Sequence, residues 1–266
     1  MKIKEITNLL EELAPLNDAE DFDNVGLLIG NYQNKVNNIL VTLDTLEVTI
    51  DEAISKKCNL IISFHPIIFN GLKHLNGNNY VERVTIKAIQ NNISIYAMHT
   101  ALDNSFDGVS AKICEVLGLV NRQFLIPNPL KNIGMGMLAE FNTEMEEINF
   151  LNLLKNKFNA NGIRHSALIH KKIKKVALLG GSGAFAIEHA KKLNADAYIS
   201  SDFKYHDFFK AENNILLVDI GHYESEQFTK NLLVDYLNKK ISNFAAALNF
   251  SNIFLSENNT NPINYL

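Results

Sequence analysis

Residues 3–14 place Ile3, Ile6, Leu9, Leu10 and Leu13 at a helical period, and Pro15 closes the run. In Asp21 to Gly30 the apolar part predicts a short strand and the acidic part a loop. A regular alternation follows. Ile39–Leu43, Leu60–Ser63 and Ile93–Ala97 read as strands; Leu46–Lys57, Val81–Gln90 and Val109–Leu117 read as helices, the last ended by Gly118. Strands of nearly continuous apolar character alternating with helices indicate a parallel sheet buried on both faces. Right-handed crossovers then put the three strand carboxyl ends on one edge of that sheet.

Pro127-Asn128-Pro129 reads as a boundary. Beyond it the pattern predicts a strand over Ile133–Phe141, a helix over Glu144–Phe158, and strands over Arg164–Ile169 and Val176–Leu179. Gly180-Gly181-Ser182-Gly183 reads as a turn into a helix, Phe185–Leu193, followed by strand Ala197–Ile199 and then a further helix after Asp202 to Asp207. The apolar run Ile215–Val218 reads as a buried strand, Gln227–Leu237 as a helix, and Ala246–Leu255 as a possible final strand. The expected organisation is α/β in two units. The first covers residues 1–127, completed by about 240–266, and the second covers 128–239.

With 47% hydrophobic and 20% charged residues in 266, the chain has the composition of an ordinary globular protein with a sizeable core. A formal net charge of -4 and only one small basic cluster, Lys171 to Lys175, argue against a nucleic-acid partner. Cys58 and Cys114 show neither zinc-knuckle spacing nor a disulfide framework, which fits a reducing, cytoplasmic setting. The charged start, Met1 to Ile6, lacks the apolar core of a signal peptide, and no apolar run approaches the roughly 18 residues of a membrane span.

The chemistry gathers at strand ends. Leu60–Ser63 is followed by His65, Ile93–Ala97 by His99 and Asp103, and Ile215–Val218 by Gly221, His222 and Glu226. In an open α/β sheet, sites form beyond the strand carboxyl ends. Imidazoles with carboxylates and no thiolate suit a divalent metal: zinc, iron, manganese, cobalt or nickel. The competing reading for each residue alone is a surface histidine, a helix cap or an acidic first helical turn. The Gly180–Gly183 turn fits either an anion cradle at a helix start or close strand–helix packing. In Asp202 to Asp207, which contains His206, the polar groups either reach the same cleft or cap a helix.

Taken together, these segments resemble the Nif-three-like family, many of whose members are labelled GTP cyclohydrolase 1 type 2 homologs. The resemblance spans essentially the whole chain. It is carried by Asp23-Asn24-Val25-Gly26-Leu27, Phe64-His65-Pro66-Ile67-Ile68-Phe69, His99-Thr100-Ala101-Leu102-Asp103, Gly180–Gly183, Asp202 to Asp207, Gly221 to Glu226 and Thr260-Asn261-Pro262-Ile263. It implies two similar α/β domains with a dinuclear metal site in the cleft between them, and assembly into a toroidal homohexamer. By the same resemblance His65, His222 and Glu226 match the ligands of one metal, and Asp103 and a bridging Glu226 those of the other. His99 and His206 are the expected proton-moving groups. Phe64 departs from the pattern: it stands where the family has the first of two adjacent histidines, and it has no lone pair to donate. One or two metals per chain are therefore expected. The function implied is a metal-dependent hydrolase acting on a nucleotide-like small molecule through metal-activated water. The alternative is a non-catalytic metal carrier or regulatory hexameric scaffold.

Overall fold

The computed structural model describes residues 1–242 and 252–266. In chain order the first half contains helix α1 (Ile3–Leu13), strands β1 (Gly26–Ile29) and β2 (Ile39–Thr42), α2 (Glu47–Ser55), β3 (Leu60–Ser63), α3 (Tyr80–Gln90), β4 (Ser94–Ala97), α4 (His99–Asp103) and α5 (Val109–Leu117). There follow β5 (Val120–Pro127), β6 (Gly134–Glu146), α6 (Glu147–Lys157), β7 (Arg164–His165), β8 (Lys172–Ser182), α7 (Ile187–Lys192), β9 (Ala197–Ser201) and β10 (Leu216–Asp219). The chain closes with α8 (His222–Glu226), α9 (Thr229–Ser242) and β11 (Ile253–Leu255). Of the expected final strand, residues 246–251 lie outside the described residues.

Two compact units result: Met1–Leu102 with Thr229–Thr260, and Asp103–Phe228 with Asn261–Leu266. The first unit holds a five-stranded sheet in the order β1-β4-β3-β2-β11. Strands β4, β3, β2 and β11 run parallel, and only β1 is antiparallel. Ile39, Leu40, Val41, Leu60, Ile61 and Ile62 have no exposed surface, as expected of strands covered on both faces. On one face Leu40, Ile61 and Ile95 pack with Ile50, Ala53, Val84 and Ala88 of α2 and α3. The parallel pairing Ser63↔Ala97 sets the carboxyl ends of β3 and β4 side by side.

The second unit holds a six-stranded sheet ordered β5-β6-β8-β9-β10-β7. Its centre, β8-β9-β10, is parallel, while β5, β6 and β7 pair antiparallel. Leu138, Ala177, Tyr198 and Leu217 pack there with Ile187 and Ala190 of α7.

Several elements differ from the sequence pattern for identifiable reasons. Pro127-Asn128-Pro129 belongs to the turn of the β5–β6 hairpin: Pro127 pairs with Gly134, the Asn128 N–H donates to Ile133 O at 2.8 Å, and Asn128 Oδ1 accepts from the Leu130 and Lys131 amides. The chain passes between units at 102/103, 228/229 and 260/261 instead. Helix α6 starts at Glu147 because Met145 and Glu146 still pair with Ile173 and Lys172 of β8. The helix expected over Gln227–Leu237 starts at Thr229, where the chain changes unit, runs on to Ser242 as α9, and is preceded by the separate short helix α8. Among the described residues no helix is long and apolar enough to cross a membrane.

Candidate metal centre

In the first unit the ends of β2, β3 and β4 are laced together before any functional side chain is reached. The His65 N–H donates to Leu43 O (3.0 Å), the His99 N–H to Phe64 O (2.9 Å), and Ser63 Oγ to His65 O (2.7 Å). From this frame His65 Nδ1 lies 2.7 Å from Asp44 Oδ1, and Asp44 Oδ2 accepts from Thr260 Oγ1 at 2.6 Å. His99 opens α4 with a left-handed φ of +29°, rare for a residue with a side chain. Its Nδ1 lies 2.7 Å from Asp23 Oδ1. Asp23 exposes no side-chain surface, and its Oδ2 accepts from the Thr100 N–H (3.0 Å) and Thr100 Oγ1 (2.5 Å). Burial alone would raise the Asp23 pKa, but the His99 and Thr100 donors outweigh it and hold the carboxyl below its ordinary value.

Phe64, fully buried, fills the space beside these histidines. Its ring centroid is 4.9 Å from that of His65 and 5.6 Å from that of His99, and the two histidine rings are 5.4 Å apart. Asp103 is the last residue of α4, four positions after His99, and partly buried.

In the second unit β10 ends at Asp219, and Gly221, at φ +94°, turns the chain into α8. A side chain there would collide with Glu224, since a Cβ would fall 2.2 Å from Glu224 Oε2. His222 and Glu226 are the first and last residues of α8 and share a face, with His222 Nε2 3.1 Å from Glu226 Oε2. On the other side His222 Nδ1 lies 2.7 Å from Asp202 Oδ2. Desolvation lowers the His222 pKa, but hydrogen bonds and charge from Asp202 and Glu226 drive it up to about 11. Glu226 is buried, and Gly181 is what admits it. A Cβ on Gly181 would sit 2.3 Å from Glu226 Oε1, and φ there is +67°. Ser225 Oγ accepts from the Gly181 N–H at 2.9 Å, and Ser200 Oγ donates to Gly181 O at 2.9 Å.

This decides between the two readings of the glycine-rich stretch. Gly180, Gly181 and Ser182 belong to β8, and a 3-10 turn, Ala184–Ala186, leads from Gly183 into α7. A Cβ on Gly183 would meet Ser200 Oγ at 2.1 Å, and one on Gly180 would meet Val109 Cγ1 at 2.8 Å. The glycines serve close packing, including the approach of Glu226.

The Asp202–Asp207 segment splits between its two readings. Asp202, at φ +59°, orients His222, while Asp207 accepts from the Lys204 N–H (2.9 Å) and Lys210 Nζ (2.7 Å) as a local cap. His206 is exposed, and its ring packs against Tyr205 and Phe209, with centroids 5.2 and 6.0 Å away. The sequence reading missed Asp44 and Asp23 as functional groups. Both stand in loops, 21 and 76 positions from their histidines. Only the strand order brings them there, although Asp44 does directly follow Leu43, at a strand carboxyl end.

A family model described as Duf34/NIF3 (NGG1p interacting factor 3) matches residues 1–262. A Clostridium acetobutylicum protein named GTP cyclohydrolase 1 type 2 homolog is 33% identical over 271 residues, covering 100% of this chain and 99% of that protein. Among solved structures, a Bacillus cereus protein related to NIF3 superposes with a TM-score of 0.93 at 25% identity, covering 100% of this chain and 99% of the other. A Staphylococcus aureus hypothetical protein gives a TM-score of 0.90 at 30% identity, again covering 100% and 99%.

Proposed function

The chain belongs to the Duf34/NIF3 family, and we propose that it is a metal-dependent hydrolase of a nucleotide-like small molecule, with a divalent metal held by His65, His222 and Glu226. The observation that carries this reading is the treatment of the two histidines. Each has its Nδ1 2.7 Å from a carboxylate, Asp44 for His65 and Asp202 for His222. That bond fixes the ring and leaves Nε2 as the donor to a metal, the usual arrangement of metal-binding histidines, and the ion would displace the Nε2 proton that His222 otherwise shares with Glu226. Two imidazoles and one carboxylate form a donor set suited to zinc, iron, manganese, cobalt or nickel, with open positions for substrate. Asp103 is the further carboxylate on which a second ion would depend. Phe64, apolar and buried, offers that ion nothing.

A divalent ion in such a site acts as a Lewis acid and makes water nucleophilic near neutral pH. The protein's own groups do the rest. His99, partly exposed and braced by Asp23, receives the proton released as water attacks. Glu226 is held against His222 by the Gly181 approach, so its carboxylate is already in place when substrate arrives. The nucleotide-like substrate rests on the printed name of the relatives. The same proposal includes a toroidal homohexamer in the cytoplasm, as the family resemblance implies.

The test is GTP turnover by the protein loaded in turn with each of the five ions, beside Glu226→Gln. The expected result is metal-dependent turnover in the parent that falls about 10²-fold or more in the variant, which stays folded. A metal-loaded parent inert toward GTP and other nucleotides moves the function to the carrier or scaffold.

A further inference from the structure

Asp23 differs from the other two histidine partners. The Asp44 and Asp202 side chains are 29% and 44% exposed, whereas Asp23 exposes nothing and is bonded on both oxygens. Oδ1 meets the Asn24 N–H and His99 Nδ1, each at 2.7 Å. Oδ2 accepts from the Thr100 N–H and Thr100 Oγ1. Thr100 Oγ1 itself accepts from the Glu20 N–H at 2.9 Å, so its own proton is directed at Asp23. An ionised carboxylate has no proton to give, so the hydrogen shared with His99 belongs to Nδ1. The left-handed backbone of His99 is strained, and it is held by the Phe64 carbonyl on its N–H and Asp23 on its ring.

We propose that Asp23 is a positioning residue that locks His99 in the Nδ1–H tautomer, so that Nε2 is a ready proton acceptor in the resting protein. This rests on the reading of His99 as the group that moves the proton. One proton passes from the attacking water to Nε2, and the imidazolium so formed is stabilised by the buried Asp23 carboxylate.

The variant that separates this from a merely structural role is Asp23→Asn. Two Thr100 donors converge on Oδ2 against the single Asn24 N–H on Oδ1, so the asparagine oxygen takes the Thr100 side. Its amide nitrogen then faces His99 Nδ1 and donates to it, which inverts the tautomer. The readout is long-range proton–nitrogen correlation NMR of the zinc-loaded, full-length protein with labelled histidine. It is recorded near pH 8.5, above the ordinary imidazole value of about 6.5, with His99 assigned by His99→Gln.

The parent is expected to show Nδ1–H at His99. Asp23→Asn is expected to show Nε2–H, with unchanged zinc content and GTP turnover reduced about 10²-fold. Nε2–H in the parent, or Nδ1–H surviving in Asp23→Asn, overturns the proposal. Should Asp23→Asn fail to fold, the parent spectrum alone decides. Should the parent turn over neither GTP nor other nucleotides, the hydrolase reading falls, while the tautomer inversion still decides the role of Asp23.

Discussion

At the scale of single residues, the chain spends carboxylates on aiming imidazoles. Asp44, Asp23 and Asp202 each stand 2.7 Å from the Nδ1 of a histidine. Removing such a partner leaves the metal donor present but unaimed, so Asp202→Ala is expected to weaken metal binding about 10- to 100-fold without unfolding the protein. A competition titration against a chelator measures this, and unchanged affinity contradicts the role given to Asp202. Gly181→Ala tests the approach of Glu226. The added Cβ would lie 2.3 Å from Glu226 Oε1, at a φ of +67°. The variant is expected to lose about 1–3 kcal/mol of stability and to bind metal less tightly, seen in denaturant titration and in the same chelator competition. His65, His222 and Glu226 were legible in the sequence because strand ends and an i, i+4 spacing announce them. Asp44 and Asp23 were not, because what defines them is a partner set by strand order. Gly181 was visible only as part of a glycine run, whose packing role depends on a helix more than forty positions away.

At the scale of elements, regular apolar periodicity was read well and interrupted or polar elements were not. Helix α5 matches its expected span, Val109 to Leu117, and Gly118 ends it at φ +70°. Strand β5 went unread because its sequence, Val-Asn-Arg-Gln-Phe-Leu-Ile-Pro, has few buried positions to set a period. Strand β11 is short, and besides its pairing with β2 the segment that follows it is held to α2 by the Glu52 carboxylate. Glu52 accepts from Ser256 Oγ (2.6 Å), the Glu257 N–H (3.0 Å), Asn258 Nδ2 (2.7 Å) and Lys56 Nζ (2.7 Å). Burial raises its pKa, but these donors prevail and hold it below its ordinary value. A carboxyl whose pKa is lowered on folding contributes stability above its unfolded pKa and loses it as pH falls through the folded one. Glu52→Gln is therefore expected to cost about 1–3 kcal/mol at neutral pH. The variant should also lose less stability than the parent on acidification below about pH 4.5. Urea titrations at several pH values measure both; parallel pH profiles for parent and variant would rule out this role for Glu52.

At the scale of the whole molecule, α/β class was legible from alternation, and the chain's end was expected to complete the first unit without any strand partner being assigned to it. The answer lies in β11 pairing parallel with β2, Ile253 opposite Ile39, a contact between segments more than two hundred residues apart that no local pattern encodes. The expected division near residue 127 reflected two prolines, which bound a hairpin turn just as well. On the proposed homohexamer, light scattering is expected to give six times the 29.9 kDa chain mass; a monomer mass at micromolar concentration would exclude it.

The central claim is that His65, His222 and Glu226 hold a divalent metal. It is tested most directly by elemental analysis of protein purified without chelator, beside His65→Ala and His222→Ala. The account predicts about one zinc, iron, manganese, cobalt or nickel ion per chain, lost in both variants while each stays folded. No metal in the parent, even after incubation with each of these ions, or full occupancy in either variant, would contradict it.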